Sequence, residues 1–503
     1  MEKLLQRSVV FFNSPKYVFL FSLGIGILFS LIALIFPQEI YADVANVYAY
    51  YAREIGWGNF AEGWVGSVPM LNILLAGGLA FCGMEAFQAC ILVSSAFFLL
   101  TLPLLRRYLE YFLTPLQAAW GCFLFVTAPK MIRYSISGML ESCRYFFLTV
   151  TLLYFFRLAE KLRLRDAVIF GLALGALSVS RGEAIFLVPL LLGLFPFYVW
   201  FLSGEKFWKN TGRKITMLAA AVVIAIIVML PFCFINLKYN GCFATDVRLV
   251  EFVPGMAKST VPAVSAAPVK SVPFMKNSVH ALSEFFRGGY EPYVALAFLG
   301  MILLLKRKQW NWQYSLLTVI CFLHIVIYFK INSSYRYHLY VIPLFMPFII
   351  TGAAYCIAFY RQWKFRKMWM DMFLGILLFS IVIFQGINGL ERFLHRENWK
   401  ENAVAFLKEY NQKKFPGKRM RLADAGCVDL VYHSGAFRVC NYKRLNMDLQ
   451  TIDDFDLLIV SRRKLKTLKR TDLIPVAHPF GEEFYLFRLK TASEKGEHKV
   501  VEQ

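Results

Sequence analysis

Residues 215–235 read ITMLAAAVVIAIIVMLPFCFI, an apolar run with no charged residue, and Arg213 and Lys214 come directly before it. An α-helix rises about 1.5 Å per residue, so about 20 apolar residues are needed to cross a hydrocarbon core about 30 Å thick. Similar runs recur from the N-terminus to about residue 388 and then stop. The chain is therefore predicted to be a polytopic α-helical membrane protein.

The composition agrees with this class, because 58% of the 503 residues are hydrophobic and only 17% are charged. Soluble domains are nearer half apolar and a quarter charged. The other apolar runs, in chain order, are Tyr17–Phe36, Pro69–Gly83, Phe87–Leu105, Pro115–Ala128, Ser142–Leu158, Ala167–Ser180, Ala184–Leu202, Tyr293–Leu305, Tyr314–Phe329, Leu339–Tyr360 and Trp369–Ile387. Pro69–Gly83 is short for a full span, so it is predicted to be re-entrant or shallow, and a local exception to the charge rule is the alternative. We expect about 11–13 transmembrane helices, with about eleven favoured by the charge pattern.

The net charge of +22 comes largely from short basic clusters between apolar runs: residues 106–107, 161–165, 206–214, 306–308 and 361–367. This is the positive-inside pattern, in which Lys and Arg stay in the cytoplasm and attract anionic headgroups of membrane lipid. No DNA- or RNA-binding motif accompanies the basic residues, so nucleic acid is not predicted as a partner.

With the clusters inside, the charge pattern divides the chain into a transmembrane module, residues 1–390, and a small soluble α/β domain, residues 391–490, outside the cytoplasm. The predicted outer loops of the module are 37–68, 129–141, 236–292 and 331–338. In the soluble domain a helix is predicted at Glu397–Lys414, and strands at Met420–Leu422, Phe437–Val439, Leu457–Val460 and Phe484–Leu489. Residues 491–503 are polar and predicted to be disordered. Cys427 and Cys440 could form a disulfide if this domain faces an oxidising compartment.

Asp43 follows the first predicted helix directly, in the stretch Ile40-Tyr-Ala-Asp43-Val-Ala-Asn-Val-Tyr48. A carboxylate at the outer membrane surface can serve as a general base toward a hydroxyl. The alternative is a solvated loop aspartate or an N-cap for the helix predicted at Ala45–Arg53.

Other charged residues are also predicted at outer helix ends. Glu141 could bind a cation or a second polar substrate group, or could pair with Arg144 one turn later. Arg181 and Glu183 flank a tight turn at Gly182. Arg336 and His338 cap another outer helix end, where an Arg fork suits a phosphate and snorkelling to ordinary headgroups is the alternative.

Four features carry a resemblance over most of Tyr17 to Tyr360. They are Asp43 in a helical outer loop that reaches Arg53; Pro69 in Ser67-Val-Pro-Met-Leu71; Glu141 leading into Arg144-Tyr-Phe-Phe; and Ser180-Arg-Gly-Glu183 with Tyr335-Arg-Tyr337 before Val341-Ile-Pro343. The ordered set resembles the polyprenyl-phosphate-sugar-dependent glycosyltransferases of the GT-C fold, which include protein O-mannosyltransferases and the aminoarabinose transferase of lipid A. Relatives often carry a Lys before the Pro of the second segment, where this chain has Val68.

The resemblance implies a membrane glycosyltransferase that moves a hexose or pentose from a polyprenyl-phosphate carrier, such as undecaprenyl phosphate, to an acceptor hydroxyl, with inversion and with Asp43 as general base. It implies that Arg53, Arg181, Tyr335, Arg336, Tyr337 and His338 bind substrate and phosphate, and that Glu141 and Glu183 form an acidic second site. A divalent cation, Mg²⁺ or Mn²⁺, at Asp43 and Glu141 is left open. The acceptor would be a glycan, a lipid or a protein, and the location the bacterial cytoplasmic (inner) membrane.

Two other functions are compatible with the sequence. A transporter or lipid flippase would carry ionisable groups at mid-membrane and repeated halves. A non-catalytic membrane scaffold would display the C-terminal domain and would tolerate changes at Asp43.

Overall fold

The computed structural model describes residues 13–35, 44–66, 68–180, 190–195, 211–246, 274–328, 335–362, 398–425, 455–465, 472–476 and 484–489, with 187, 380, 384, 430, 432 and 434–438. Two predicted segments, Ala184–Leu202 and Trp369–Ile387, lie largely outside this part of the chain. So do the tail 491–503, most of the centre of the loop 236–292, and both Cys427 and Cys440.

Most helices of the membrane module begin and end close to the predicted apolar runs, and the others lie in the predicted outer loops. In chain order they are α1 Pro15–Ile35, α2 Ala49–Gly56, α3 Phe60–Gly63, α4 Met70–Phe81, α5 Ala86–Leu109, α6 Pro115–Thr127, α7 Pro129–Ser135, α8 Glu141–Lys161, α9 Leu164–Ser180, α10 Thr211–Asn240, α11 Phe274–Gly289, α12 Glu291–Lys306, α13 Trp312–Tyr328 and α14 Val341–Arg361. A π-helical turn, Val44–Tyr48, leads directly into α2, and a 3₁₀ turn, Tyr335–His338, precedes α14. A single cluster of buried apolar side chains runs through the module from Ala33 to Ile350.

Among the described residues, α1, α5, α10 and α14 are long and apolar enough to cross a membrane. A fifth span would need α11 and α12 to count as one, but the two meet at an angle of 94°. The helices Met70–Phe81, Pro115–Thr127 and Trp312–Val326 are apolar but shorter. The predicted class, a polytopic α-helical membrane protein with a small C-terminal sheet, is confirmed; the number of crossings stays a prediction.

Small residues allow two helix pairs to approach closely. Gly171 and Gly175 of α9 face Ala221 and Ala225 of α10, and a Cβ at either glycine would meet a backbone carbonyl oxygen of the opposite helix. Gly300 of α12 and Gly352 of α14 face each other's helices in the same way. Small residues spaced four apart are a common contact in membranes, where packing rather than the hydrophobic effect holds helices together.

The C-terminal domain contains helix α15, Asn398–Lys414, and a five-stranded sheet in the order β2-β1-β3-β5-β4. The strands are β1 Arg421–Ala425, β2 Phe437–Arg438, β3 Leu457–Ser461, β4 Leu473–Val476 and β5 Phe484–Leu489, with a short helix, α16 Arg462–Leu465, after β3. Strands β2, β1 and β3 are parallel, and β5 and β4 are antiparallel to their neighbours. The sequence analysis missed β4, which contains Pro475; proline is tolerated there because β4 is an edge strand.

Both flanks of α4 lie on the same side of the module. The backbone carbonyl of Tyr432 in the C-terminal domain accepts a hydrogen bond from Arg53, before α4, and the Tyr432 hydroxyl donates to Glu85, after α4. A full crossing would separate these flanks by about 30 Å. Helix α4 has 12 residues, which reach only about 18 Å. This agrees with the prediction that Pro69–Gly83 is shallow or re-entrant.

Candidate functional site

The first outer loop, residues 44–66, contacts the other outer segments. A Cβ on Gly138, which has φ +79°, would lie 3.3 Å from Val44 Cγ1, and Trp64 Nε1 donates to Asn236 Oδ1 at 2.6 Å. The aromatic ring of Trp64 also packs against Phe232. The loop therefore joins the second outer loop to the outer end of α10.

Asp43 lies just outside the described residues, so its side chain cannot be placed. Its neighbour Val44 packs against Gly138, three positions before Glu141, and the Gly138 N–H donates to Ser94 Oγ on α5 at 3.2 Å. The start of the first outer loop is thus next to the segment that leads into α8. A site shared by Asp43 and Glu141 stays a prediction, as does the catalytic role of Asp43.

Glu141 and Arg144 are both buried in the first turn of α8. The Arg144 guanidinium lies over the ring of Tyr340, with 3.7 Å between its carbon and the ring centroid. Tyr340 stands between the 3₁₀ turn and α14. The second outer loop and the segment 335–340, nearly two hundred positions apart in sequence, therefore meet at this point.

His338 is fully buried and pairs with His324 of α13, with 2.9 Å between His338 Nδ1 and His324 Nε2. The His324 ring also stands edge-on to Tyr340, 4.1 Å between centroids, and His338 packs against Phe285 of α11. Because one ring nitrogen must donate and the other accept, the pair fixes the orientation of both rings. Arg144, Tyr340, His324 and His338 form one contiguous group, which we call the outer aromatic–cation cluster.

Of the other residues predicted to bind substrate, the side chain of Arg336 is the one that the structure describes. Arg336 is half-buried within the 3₁₀ turn. Only the backbone of Tyr335 and Tyr337 is described, in the same turn, and Arg181 and Glu183 lie outside the described residues. Their predicted roles stay predictions.

Lys130 of α7 introduces further charge near the cluster. Burial lowers the pKa of Lys130, the carboxylate of Glu291 opposes that shift, and Arg287 and Glu284 act on it more weakly. Glu284 is buried on α11 and accepts a 2.7 Å hydrogen bond from Arg287. A mixed group of acids and bases therefore surrounds the end of α11 that carries Phe285.

Arg53, predicted to bind phosphate, is buried and contacts the C-terminal domain. Its terminal nitrogens donate to the carbonyl oxygens of Tyr432, at 2.7 Å, and Ala436, at 3.3 Å. The guanidinium also lies over the rings of Tyr50, Trp57 and Tyr432. Burial and the neighbouring Arg419 lower the pKa of Arg53. These contacts connect the first outer loop to the C-terminal domain, and we call this interface the joint. A phosphate contact by Arg53 stays a prediction.

Glu54 completes that joint. Its carboxylate is 1% exposed and accepts two hydrogen bonds from Arg419, at 2.6 and 3.0 Å, and one from Asn59 Nδ2 at 3.2 Å. A bidentate Arg–carboxylate pair is among the stronger polar contacts in proteins.

The structure adds two residues that the sequence analysis did not single out. His324 carried a usable signal, since it is an ionisable side chain inside an apolar run and such residues are functional candidates by default. Arg419 carried none, because nothing in Lys418-Arg-Met-Arg-Leu422 distinguishes it from its basic neighbours.

No protein-family model matches the sequence, and no curated protein matches it in sequence. The fold is similar to that of ArnT from Cupriavidus metallidurans bound to undecaprenyl phosphate: TM-score 0.62, 12% identity, 93% of this chain and 97% of that chain covered. The apo form of the same protein matches with TM-score 0.61, 14% identity and 92% and 97% covered. The Archaeoglobus fulgidus oligosaccharyltransferase in complex with Zn and sulfate matches with TM-score 0.55, 12% identity and 88% and 68% covered. The chain has the GT-C fold. At these identities the similarity concerns the fold, and it confirms that part of the sequence prediction.

A metal site is a separate question. Among the described residues, no group of three or more His, Cys, Asp or Glu side chains is placed to hold an ion. Glu141 is buried, and Asp43 lies outside the described residues. The divalent cation at Asp43 and Glu141 therefore stays a prediction.

Proposed function

We propose that this protein is a membrane glycosyltransferase that moves a sugar from a polyprenyl-phosphate carrier to an acceptor hydroxyl at the outer face of a bacterial cytoplasmic membrane. The observation that carries the proposal is the fold match over 93% of this chain to a protein solved with undecaprenyl phosphate bound. The packing of Val44 against Gly138 supports it, because this contact brings the sequence neighbours of Asp43 and Glu141 together.

In this reaction Asp43 takes the proton from the acceptor hydroxyl as its oxygen attacks the anomeric carbon. The bond from that carbon to the phosphate oxygen breaks on the opposite side, so the configuration inverts and the lipid phosphate leaves. General-base assistance of this kind is worth about two to four powers of ten in rate.

Cationic side chains would stabilise the negative charge on the departing phosphate. We assign this role to Arg336 and His338, which belong to the segment 335–340 whose Tyr340 packs against Arg144, and to Arg181. Arg53 is the weaker candidate, because its terminal nitrogens already donate to carbonyl oxygens of the C-terminal domain. With Val68 in place of a Lys, these side chains would carry the phosphate contacts.

The function is tested by mass spectrometry of glycolipids and glycoproteins from cells with and without the gene. We expect one glycan to lose a single sugar in the deletion strain and to regain it on complementation. The purified protein in detergent should also transfer sugar from a polyprenyl-phosphate donor. A transporter or flippase acts between two compartments, so the purified protein in detergent would transfer no sugar. A scaffold would leave all glycans of the deletion strain unchanged. Either result would remove the enzyme proposal.

The location of the C-terminal domain gives a second prediction. The basic clusters at 306–308 and 361–367 favour a location outside the cytoplasm for residues 391–490. A phosphatase that is active only outside, fused after residue 490, should therefore be active, and a cytoplasmic reporter at the same position should be silent. The reverse pattern would contradict the assignment.

A further inference from the structure

The contact between the C-terminal domain and the first outer loop is reciprocal. Arg53 reaches from the loop to the carbonyl oxygens of Tyr432 and Ala436 in the domain. Arg419 reaches from the domain to the carboxylate of Glu54 in the loop. Each side thus supplies one guanidinium and receives the other. Because hydrogen bonds in such a network support one another, displacing one partner weakens the remaining bonds.

Arg419 occupies the centre of this joint. Besides its two bonds to Glu54, it donates to the carbonyl oxygens of Gly435 at 2.9 Å and Ala436 at 3.1 Å, and it lies over the ring of Trp57. Its side chain therefore links the start of β1, the segment before β2 and helix α2.

A second connection runs through α5. The Tyr432 hydroxyl donates to one carboxylate oxygen of Glu85, while the other oxygen caps the start of α5 by accepting from Gln88 N at 2.8 Å. Burial and then Glu85 raise the pKa of Tyr432, so its hydroxyl keeps its proton and remains a donor. One and two turns further along α5, Cys90 and Ser94 contact Gly138. The joint is thereby connected to the same segment that contacts Val44.

The helical stretch Val44–Gly56 is continuous, because the π-helical turn runs directly into α2. Glu54 lies near one end of this stretch and Val44, the neighbour of Asp43, begins the other. The distance is about ten residues, or about 15 Å along a helix axis. A short helix held at one end transmits its orientation to the other end.

We propose that Arg419 is a positioning residue for the transfer reaction: through Glu54 it fixes the first outer loop and so the place of Asp43. The catalytic part of this inference rests on the proposed function, whereas the structural part does not. The C-terminal domain is then a component of the active site's framework, acting through the loop without touching the reacting atoms. Since a displacement of about 1 Å at a catalytic group can cost about a hundredfold in rate, a loosened joint should be visible in kcat.

The test compares Arg419→Ala with Arg421→Ala in the full-length purified protein. Arg421 is a matched control, since it lies two positions away and pairs with Asp456 inside the C-terminal domain. Hydrogen–deuterium exchange of residues 44–63 reports on the loop, and transfer kinetics report on the reaction. We expect Arg419→Ala to speed exchange in 44–63 and to lower kcat by about tenfold or more, with the KM for the lipid donor changed by less than about threefold. Arg421→Ala should leave both unchanged.

A second variant separates positioning from misfolding of the C-terminal domain. Glu54→Gln removes no bond within that domain, yet it should reproduce the faster exchange in 44–63 and the lower kcat. The inference is overturned if exchange in Arg419→Ala changes only within 398–490, or if exchange in 44–63 is not faster in Glu54→Gln. It is also overturned if Arg421→Ala speeds exchange in 44–63 and lowers kcat as Arg419→Ala does, or if exchange in 44–63 becomes faster while kcat is retained. If no variant transfers sugar because the protein is not a transferase, the exchange result still decides whether Arg419 holds the loop.

Discussion

Asp43→Asn is expected to lower sugar transfer by about a hundredfold or more while the protein still inserts and accumulates normally. Asparagine keeps the size and hydrogen-bonding shape of the side chain but cannot accept the proton of the acceptor hydroxyl. The measurement is the initial rate of transfer from a polyprenyl-phosphate sugar by purified protein, corrected for the amount of folded enzyme.

The alternative role of Asp43, as a helix cap, predicts a different result. Asn caps a helix nearly as well as Asp, so the substitution would then cost almost nothing. Thermal stability measured on the same preparation supplies the control: it should be unchanged under either role, so that a drop in transfer cannot be attributed to unfolding. A variant with normal expression and undiminished transfer would remove Asp43 from the mechanism and move attention to Glu62 and Glu141, because the carboxylate of Glu54 is already paired with Arg419.

Glu54→Gln is expected to lower the free energy of unfolding of the docked C-terminal domain by about 3 kcal/mol, the lower end of the range for breaking a buried ion pair. The carboxylate is buried between two guanidinium groups, so its removal leaves the positive charges of Arg53 and Arg419 without the carboxylate that separates them. We choose the lower end because the Arg419 side chain is 26% exposed and therefore partly solvated. Denaturant unfolding followed by tryptophan fluorescence gives the measurement.

A double-mutant cycle isolates the pair. Glu54→Gln, Arg419→Gln and the double variant should show a coupling energy of about 0.5–3 kcal/mol, because the two side chains share direct hydrogen bonds. Glu409→Gln is a suitable control, since Glu409 pairs with Lys413 on the exposed face of α15, and surface pairs of this kind contribute little. Additive effects of the two substitutions would show that the contact does not contribute to docking.

The outer aromatic–cation cluster connects these predictions to the proposed substrate site. Arg144 and Tyr340 bring α8 against the segment that carries Arg336 and His338, and His324 orients His338 from α13. The described residues of the first, second and last outer loops therefore converge at one end of the helical module. This convergence is what a site assembled from outer helix ends requires.

The sequence by itself predicted the membrane class, most of the apolar helices that the structure describes and most of the C-terminal elements. Hydropathy is a local property: a run such as Ile215–Ile235 is long enough to span lipid whatever its neighbours are, and the structure places a helix there, Thr211–Asn240. The charge pattern and the short length of Pro69–Gly83 also predicted a shallow or re-entrant segment. This agrees with the contacts of Tyr432, which bonds to Arg53 before the segment and to Glu85 after it. Strand β4 was missed because Pro475 argues against a strand unless the strand lies at an edge, and edges are set by the assembled sheet.

Only the tertiary structure decided which polar residues are partners. Arg53 bonds to a carbonyl 379 positions away, His324 bonds to a histidine in another element, and Val44 packs against a glycine in the second outer loop. None of these pairings follows from spacing along the chain, because a buried guanidinium or imidazole is satisfied by whichever group the folded helices place within about 3 Å. Arg53 shows the consequence. The resemblance implies a phosphate contact for Arg53, which stays a prediction, and the fold provides its terminal nitrogens with backbone carbonyls of the C-terminal domain, which no local pattern encodes.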